Sequence, residues 1–425
     1  MRFFLYLAIT IMAAPLQAQE LSSGDTAWLL SATAFVLLMT LPGIALFYGG
    51  MVRSKNVLSI FMQCFAGASL VTVLWAIYGY SLVFMPGSWQ DFLGGWQSLF
   101  LKSIHSDSLT GSIPESVYAV FQLTFAVITV ALICGAVAER MRFSAFLLFI
   151  AFWFTLVYLP VAHWVWGSGW LGKLGAIDFA GGTVVHINSG VAGLIACLIL
   201  GKRLGYPYEP MTPHNLTYTM IGACILWVGW FGFNAGSALS ANGTAGMALL
   251  VTQLASAMAA LSWMFMEWRD HGRASALGLV SGSVAGLVGI TPAAGNCGPG
   301  GALAIGLISG ILCYYGATRL KRALGYDDSL DAFGIHGVGG IVGAVLTGVF
   351  ASPALGGSGF SSGINDGYTQ VSVQVLAVAA TIAWDVFMTF IILKGLALIM
   401  PLRVTSEEEK EGLDISLHEE KGYNF

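Results

Sequence analysis

Long apolar runs separated by short polar stretches fill most of the 425-residue chain. A helix needs about 20 residues to cross a bilayer. Eleven runs meet that length: 27–48, 57–85, 116–138, 143–163, 183–201, 217–240, 244–266, 274–291, 299–318, 333–352 and 371–400. The pattern predicts an all-α polytopic membrane protein. One further run, 3–14, is too short to span. It follows Met1 and Arg2 and is followed by Pro15-Leu16-Gln17-Ala18, the layout of a secretory signal peptide cleaved after Ala18. The domains expected are a signal at 1–18, a membrane domain at 19–402 and a polar tail at 403–425.

Composition agrees. The chain is 56% hydrophobic and 9% charged, where soluble domains carry roughly 25% charge. Mean hydropathy is +0.78. The net charge of −4 comes with no basic run, so nothing points to a nucleic-acid partner. The positive charges also set an orientation. A secretory signal leaves the N-terminus outside, and eleven crossings then leave the C-terminus inside. Loops on that inner side, with the tail, hold Arg53, Lys55, Arg140, Arg142, Lys202, Arg203, Arg269, Arg273, Arg319, Lys321, Arg322, Arg403, Lys410 and Lys421, whereas the outer loops hold only Lys102 and Lys173. Cytoplasmic loops carry the excess of Lys and Arg. The expected location is therefore a bacterial-type inner membrane, with a periplasmic N-terminus and a cytoplasmic C-terminus.

The fifth and tenth runs resemble each other. "HINSGVAGL" (186–194) aligns with "HGVGGIVGA" (336–344), matching His186 to His336, Gly190 to Gly340 and Gly193 to Gly343. Five spans separate the two histidines, so the second copy must insert upside down. The expectation is a five-plus-five inverted repeat, about 27–201 and 217–352, with 371–400 as an added helix. Such folds place the substrate path at the repeat interface.

Lys and Arg are absent from the middle of every span, and Asp385 is the one acid there. A path lined by the first ten spans has no fixed charge to neutralise an ion, so a bare cation crosses at high cost. His186 and His336, at matching positions, read as a polar pair in the pore. The alternative is a core histidine satisfied by a carbonyl. Asp178, at the start of the fifth run, reads as a helix cap, as an attractor for cations, or as both. Asp385 reads as an acid satisfied by a neighbouring helix, with a proton relay as the alternative. The six cysteines lie mostly in apolar segments without CxxC spacing, so no disulfide, metal site or cofactor is expected.

Aromatics cluster near the outer ends of the runs, in "FQLTF" (121–125), "HWVWGSGW" (163–170) and "WFGFNAGSAL" (230–239). An interfacial belt explains scattered rings, but it does not need Ser237 beside them. Ring faces with a hydroxyl acceptor suit a small cation that donates hydrogen bonds, as ammonium does and potassium does not.

With "DFAGGTVVHINSGVAGL" (178–194), "WVGWFGFNAGSAL" (227–239), "GLVGITPAAG" (286–295) and "FGIHGVGGIVG" (333–343), the chain closely resembles the ammonium transporter (Amt/Mep/Rh) family, from about residue 25 to 420. The resemblance implies a homotrimer with a pore within each subunit. It implies an outer recruitment site at Phe121, Phe125, Trp166 and Ser237, and gate rings at Phe125 and Phe233. Twin histidines His186 and His336 would line the pore, and Asp178 would be the acid that supports the recruitment site. The bacterial members imply net charge movement. The tail, including "EGLD" (411–414), reads from its polarity as a solvated end. By resemblance it is a segment that docks on the inner face, where a PII-type regulatory protein would bind.

Three other readings differ in what they need. A sensor on the same fold would carry a long signalling domain, and this tail is short. An Rh-type channel would pass neutral gas without charge. A membrane enzyme or haem protein would use the histidine pair as ligands, but no third ligand is spaced for it, so no enzyme is expected.

Overall fold

The computed structural model describes residues 20–424. The signal expected at 1–18 lies outside them. Among the described residues, eleven helical runs are long and apolar enough to cross a membrane: α1 Ser23–Met51, α2 Ser54–Phe84, α3 Glu115–Val137, α4 Phe143–Lys173, α5 Gly182–Leu200, α6 Leu216–Gly236, α7 Gly243–His271, α8 Ala276–Ala293, α9 Pro299–Leu324, α10 Phe333–Phe350 and α11 Gly367–Ala397. The first face below is the one at which α1 begins. The tail face is the opposite one.

Three runs extend well past the expected ends. α7 and α9 continue through Arg269 and through Lys321 and Arg322, and each stops at a glycine in the left-handed region, Gly272 (φ 73°) and Gly325 (φ 68°). Charged side chains at a helix end reach out of the apolar layer, so they do not terminate the helix. A glycine free of the Cβ penalty does. α4 runs to Lys173 because a short helical turn, Trp170–Lys173, follows the break at Gly167–Gly169.

The two halves interlock at their broken helices. The opening turn of α5, Gly182–Ile187, and that of α10, Phe333–Gly337, are both π-helical, and each carries its histidine. The α5 turn packs on α10 and the α10 turn packs on α5. The helices cross backbone to backbone: a Cβ on Gly190 would collide with Gly337, and one on Gly340 would lie 2.8 Å from the carbonyl oxygen of Gly182. α3 and its repeat counterpart α8 are the most buried spans, whereas most of α11 faces outward. The path at the repeat interface is thus walled by the central helices of both halves.

At the first face, Leu109–Thr110 and Ile113–Pro114 form a small antiparallel ribbon before α3. At the other face the tail is docked rather than solvated. Two short helices, α12 Ser406–Glu411 and α13 Leu413–His418, bury Glu409, Leu413 and Asp414. A Thr405–Glu408 capping box starts α12. Glu409 accepts from the Leu204 amide at 2.7 Å and pairs with Arg403 at 2.7 Å. The Leu413 amide donates to Asn56 Oδ1, and the Ser59 amide donates to Asp414 Oδ1, both at 2.8 Å. "EGLD" is therefore a plug: its glycine turns at φ 109° against Lys55, and its leucine and aspartate seat on the start of α2.

Candidate functional site

Asp178 precedes the π-helical turn of α5 and satisfies its whole open end. Its Oδ1 accepts from the amides of Gly181 (3.0 Å) and Gly182 (2.6 Å), and its Oδ2 from Thr183 (2.9 Å) and Val184 (3.0 Å). A helix start leaves four N–H groups without partners, and one carboxylate takes all four. Gly181, at φ 108°, supplies the bend that brings them round. Burial pushes the Asp178 carboxyl up to about 6, against the downward pull of those four donors. Its backbone carbonyl accepts the indole N–H of Trp166 at 2.8 Å, so the acid positions one of the expected recruitment rings.

The remaining rings form a file. Phe121 and Phe125 meet edge to face at 5.1 Å, and Phe125 and Trp166 at 5.4 Å. Phe125 and Phe233 lie 4.4 Å apart with a tilt of 35°, which is ring contact with no passage between. Phe233 also reaches His186, at 6.0 Å. Ser237 closes α6 one turn beyond Phe233 and gives its own hydrogen to the Phe233 carbonyl at 2.8 Å. Its lone pairs are therefore left to accept. Phe121, Phe125 and Phe233 are buried, and Trp166 and Ser237 are half-buried above them.

Below the rings, His186 and His336 share one hydrogen between their Nδ1 atoms at 3.2 Å, with ring centroids 5.3 Å apart and planes within 17°. One Nδ1 donates and the other accepts, so the accepting ring carries its own hydrogen on Nε2. Two neutral rings would then present one Nε2–H and one bare Nε2. The His186 Nε2 is buried without a partner.

Three participants escaped the sequence reading. Trp230 lies flat against His186, 5.3 Å away and 15° from parallel, and is fixed by an indole hydrogen bond to Thr291 Oγ1 at 2.8 Å. Both residues stand inside quoted motifs, but their meeting depends on how α5, α6 and α8 pack. The third is Asp328, eight positions before His336 as Asp178 is eight before His186. It accepts the Phe333 amide at 2.7 Å, and its Oδ1 is buried without a partner. Burial raises its carboxyl, with Lys321 opposing. The signal was a matching interval in the two repeats.

Asp385 is not part of this file. Its Oδ1 accepts from Thr389 Oγ1 of its own helix (2.6 Å) and from Trp153 Nε1 of α4 (3.3 Å), while its Oδ2 has no partner, so the neighbouring helix supplies only the longer of its bonds. The cysteines are free. The loop arginines are not all solvated either. Arg203 pairs with Asp327 at 2.8 Å and with Glu139 at 3.1 Å, and Arg53 pairs with Glu139 at 2.9 Å. These buried pairs tie the tail-face loops together under the docked tail.

Comparison with known proteins extends over the whole arrangement. The model of the family described as Ammonium Transporter Family matches residues 27–423. An ammonium transporter of Bacillus subtilis is 48% identical over 402 residues, covering 94% of this chain and 98% of that one. One from Aquifex aeolicus is 48% identical over 426 residues, covering 99% of each. Among solved structures, Saccharomyces cerevisiae Mep2 superposes with a TM-score of 0.82 at 37% identity, covering 92% of each chain. A structure titled Sensor Amt Protein superposes with a TM-score of 0.86 at 30% identity, covering 93% of this chain and 98% of that one. With eleven spans in an inverted repeat and a match of this length, the chain belongs to the Ammonium Transporter Family.

Proposed function

We propose that the protein recruits ammonium at the first face, strips it of a proton and conducts ammonia past the histidine pair, with net movement of charge. The observation that carries this reading is the continuous file Phe121–Phe125–Phe233–His186–His336, with Ser237 at its open end. Ammonium is held by the faces of Phe121, Phe125 and Trp166 and by the accepting oxygen of Ser237. Potassium can lie against the rings but cannot donate to the hydroxyl. Asp178 supports the site by holding Trp166 and by adding negative potential, without contact with the cation.

The next stretch carries no fixed charge. A desolvated ammonium there favours its neutral form, because burial disfavours the charged one. Movement of Phe125 and Phe233 opens the way. Ammonia then passes along the imidazole edges, which offer hydrogen bonds without a carboxylate cage for a bare metal ion. The released proton crosses separately from ammonia, which gives the net movement of charge.

The chain works as a homotrimer in a bacterial inner membrane, with the first face periplasmic and the tail cytoplasmic. The mature chain starts after Ala18, and 19–402 is the transport domain. A PII-type regulatory protein binds at the tail face.

The test is current recording on proteoliposomes after jumps of ammonium, methylammonium and potassium. The expected result is a saturable current with the first two and none with potassium. Ammonia uptake without current would favour the neutral gas channel instead, and no uptake would sink the reading.

A further inference from the structure

α11 lies outside the pore, yet one stripe of it is polar and points inward. Gln370, Gln374, Thr381, Asp385 and Thr389 are all buried on the side facing the other helices. At the first face the stripe is satisfied: Gln374 takes the Ile177 amide at 2.7 Å and donates to the carbonyls of Ile177 (2.7 Å) and Ala344 (3.0 Å). Lower down it is not. Thr381 Oγ1 and Asp385 Oδ2 are fully buried with no partner. On the facing helix, α5, Asn188 Oδ1 is in the same condition.

Helical geometry assigns these three atoms to one seam. Ile187 and Val191 of α5 pack in one cluster with Val378 and Ile382 of α11. The helices run parallel, so a forward step round one meets a backward step round the other. That step leads from Ile187 and Val191 to Asn188 and Ala192, and from Ile382 to Thr381, with Asp385 one turn below. Asp385 does face the backbone N–H of Ala192. The interval from Ala192 to Asp385 equals that from Asn188 to Thr381, so Asn188 and Thr381 stand at one level a turn above that contact. Three unpaired polar atoms in a buried apolar seam would each cost about 1–3 kcal/mol if left dry.

We propose that the seam between α5 and α11 is a water-binding site, in which one water molecule is held by Asn188 Oδ1, Thr381 Oγ1 and Asp385 Oδ2. The polarity balances. The water donates to Asn188 and to Asp385, and it accepts the Thr381 hydroxyl hydrogen. Buried waters make about three such bonds to groups that otherwise have none.

The site serves the pore through Asn188. Its Nδ2 donates to the Val184 carbonyl at 3.0 Å, inside the π-helical turn that carries His186. The water thus fixes the back of that turn while Asp178 fixes its front, and Asp385 is a positioning residue for His186. This role rests on the pore reading above; the water site does not.

The first test is an experimental density map of the protein in lipid. The expected result is a peak within hydrogen-bond reach of all three side chains. A dry seam overturns the proposal, whatever the protein transports. The second test follows the infrared carboxyl band that Asp385→Asn removes. That band should shift when either Thr381→Val or Asn188→Leu deletes another ligand of the water. A band indifferent to both substitutions overturns the shared site. The third concerns positioning. Asp385→Asn keeps a polar group for the water and should keep the ammonium current within about twofold of wild type. Asp385→Leu should lower it about tenfold or more in folded trimers, through misplacement of His186. Equal currents in the two variants would remove the positioning role.

Discussion

Trp166 donates its indole N–H to the backbone carbonyl of Asp178 at 2.8 Å, while the carboxylate of the same aspartate caps the turn leading to His186. One residue therefore sets both a ring of the expected recruitment site and the entrance to the histidine pair. The contributions of its carboxyl to stability and to transport should respond oppositely to pH. Burial holds the carboxyl near 6, above its ordinary value. Folding then favours the acid form, so the contribution of Asp178 to stability is greatest below the ordinary value and declines as pH rises through about 6. The cap needs the carboxylate, which protonation removes. As pH falls from about 7 to about 5, the wild-type protein should melt progressively higher relative to Asp178→Asn, while its ammonium current relative to that variant falls. Parallel trends in melting and current would refute this assignment.

Ser237→Ala removes an acceptor for a charged donor, an interaction of about 1.5–3 kcal/mol. The ammonium concentration for half-maximal current should rise about 10- to 100-fold, with a smaller change in the maximum. An unchanged concentration dependence would take Ser237 out of the site. The neighbouring Phe233 carbonyl would lose its hydroxyl partner but keep its backbone role, so the fold should survive.

His186→Ala deletes one of two neutral rings and leaves His336 Nδ1 without its partner. The ammonium current should fall, and the wider space should admit potassium. His186→Glu places an ionisable acid there and should pass potassium more freely. Currents measured under separate ammonium and potassium gradients distinguish these outcomes. Wild-type behaviour in both variants would make His186 a packing residue.

Glu139→Gln breaks a buried network by leaving Arg203 and Arg53 each short of a carboxylate. Removal of one partner from a buried ion pair costs about 3–5 kcal/mol. The melting temperature should drop sharply, whereas the exposed pair Lys173–Asp91 should be lost without a measurable change. Comparable drops would mean that burial does not distinguish the two pairs.

Removal of 404–425 should leave a folded, inserted protein, because the spans bury their own surface. It exposes Asn56 and the start of α2 and strands Arg142 and Arg403. Binding of a PII-type protein should weaken, as read by pull-down from detergent solution. Unchanged affinity would place that contact elsewhere.

The spans were legible because apolar length is a property of local sequence. Their ends were less so, since Arg269, Lys321 and Arg322 looked like stops while Gly272 and Gly325 were the true ones. The docked tail was half legible. Its polarity suggested solvent, but Leu413 and Glu409 find partners more than two hundred residues away in Asn56 and Leu204. Phe121, Phe125, Phe233 and the histidines could be singled out because their motifs are distinctive. Trp230 against His186 and the water seam behind it could not, because neither follows from periodicity in one helix. Asp328 was within reach: an eight-residue interval repeated before each histidine is visible in the chain itself.

The glycine crossing of α5 and α10 bears on how the protein can move. A carrier that alternates between two openings needs an interface with two packings, usually supplied by side chains that re-sort as helices slide. Where Gly190 lies on the backbone of Gly337 and Gly340 on the carbonyl of Gly182, the contact is largely main chain with the Ile187 side chain beside it, and a slide at these points drives backbone into backbone. The midpoint of the molecule is a fixed axle. On the proposed pore reading, opening and closing fall to single side chains above it, and turnover should be set by the flipping of rings rather than by the rocking of halves.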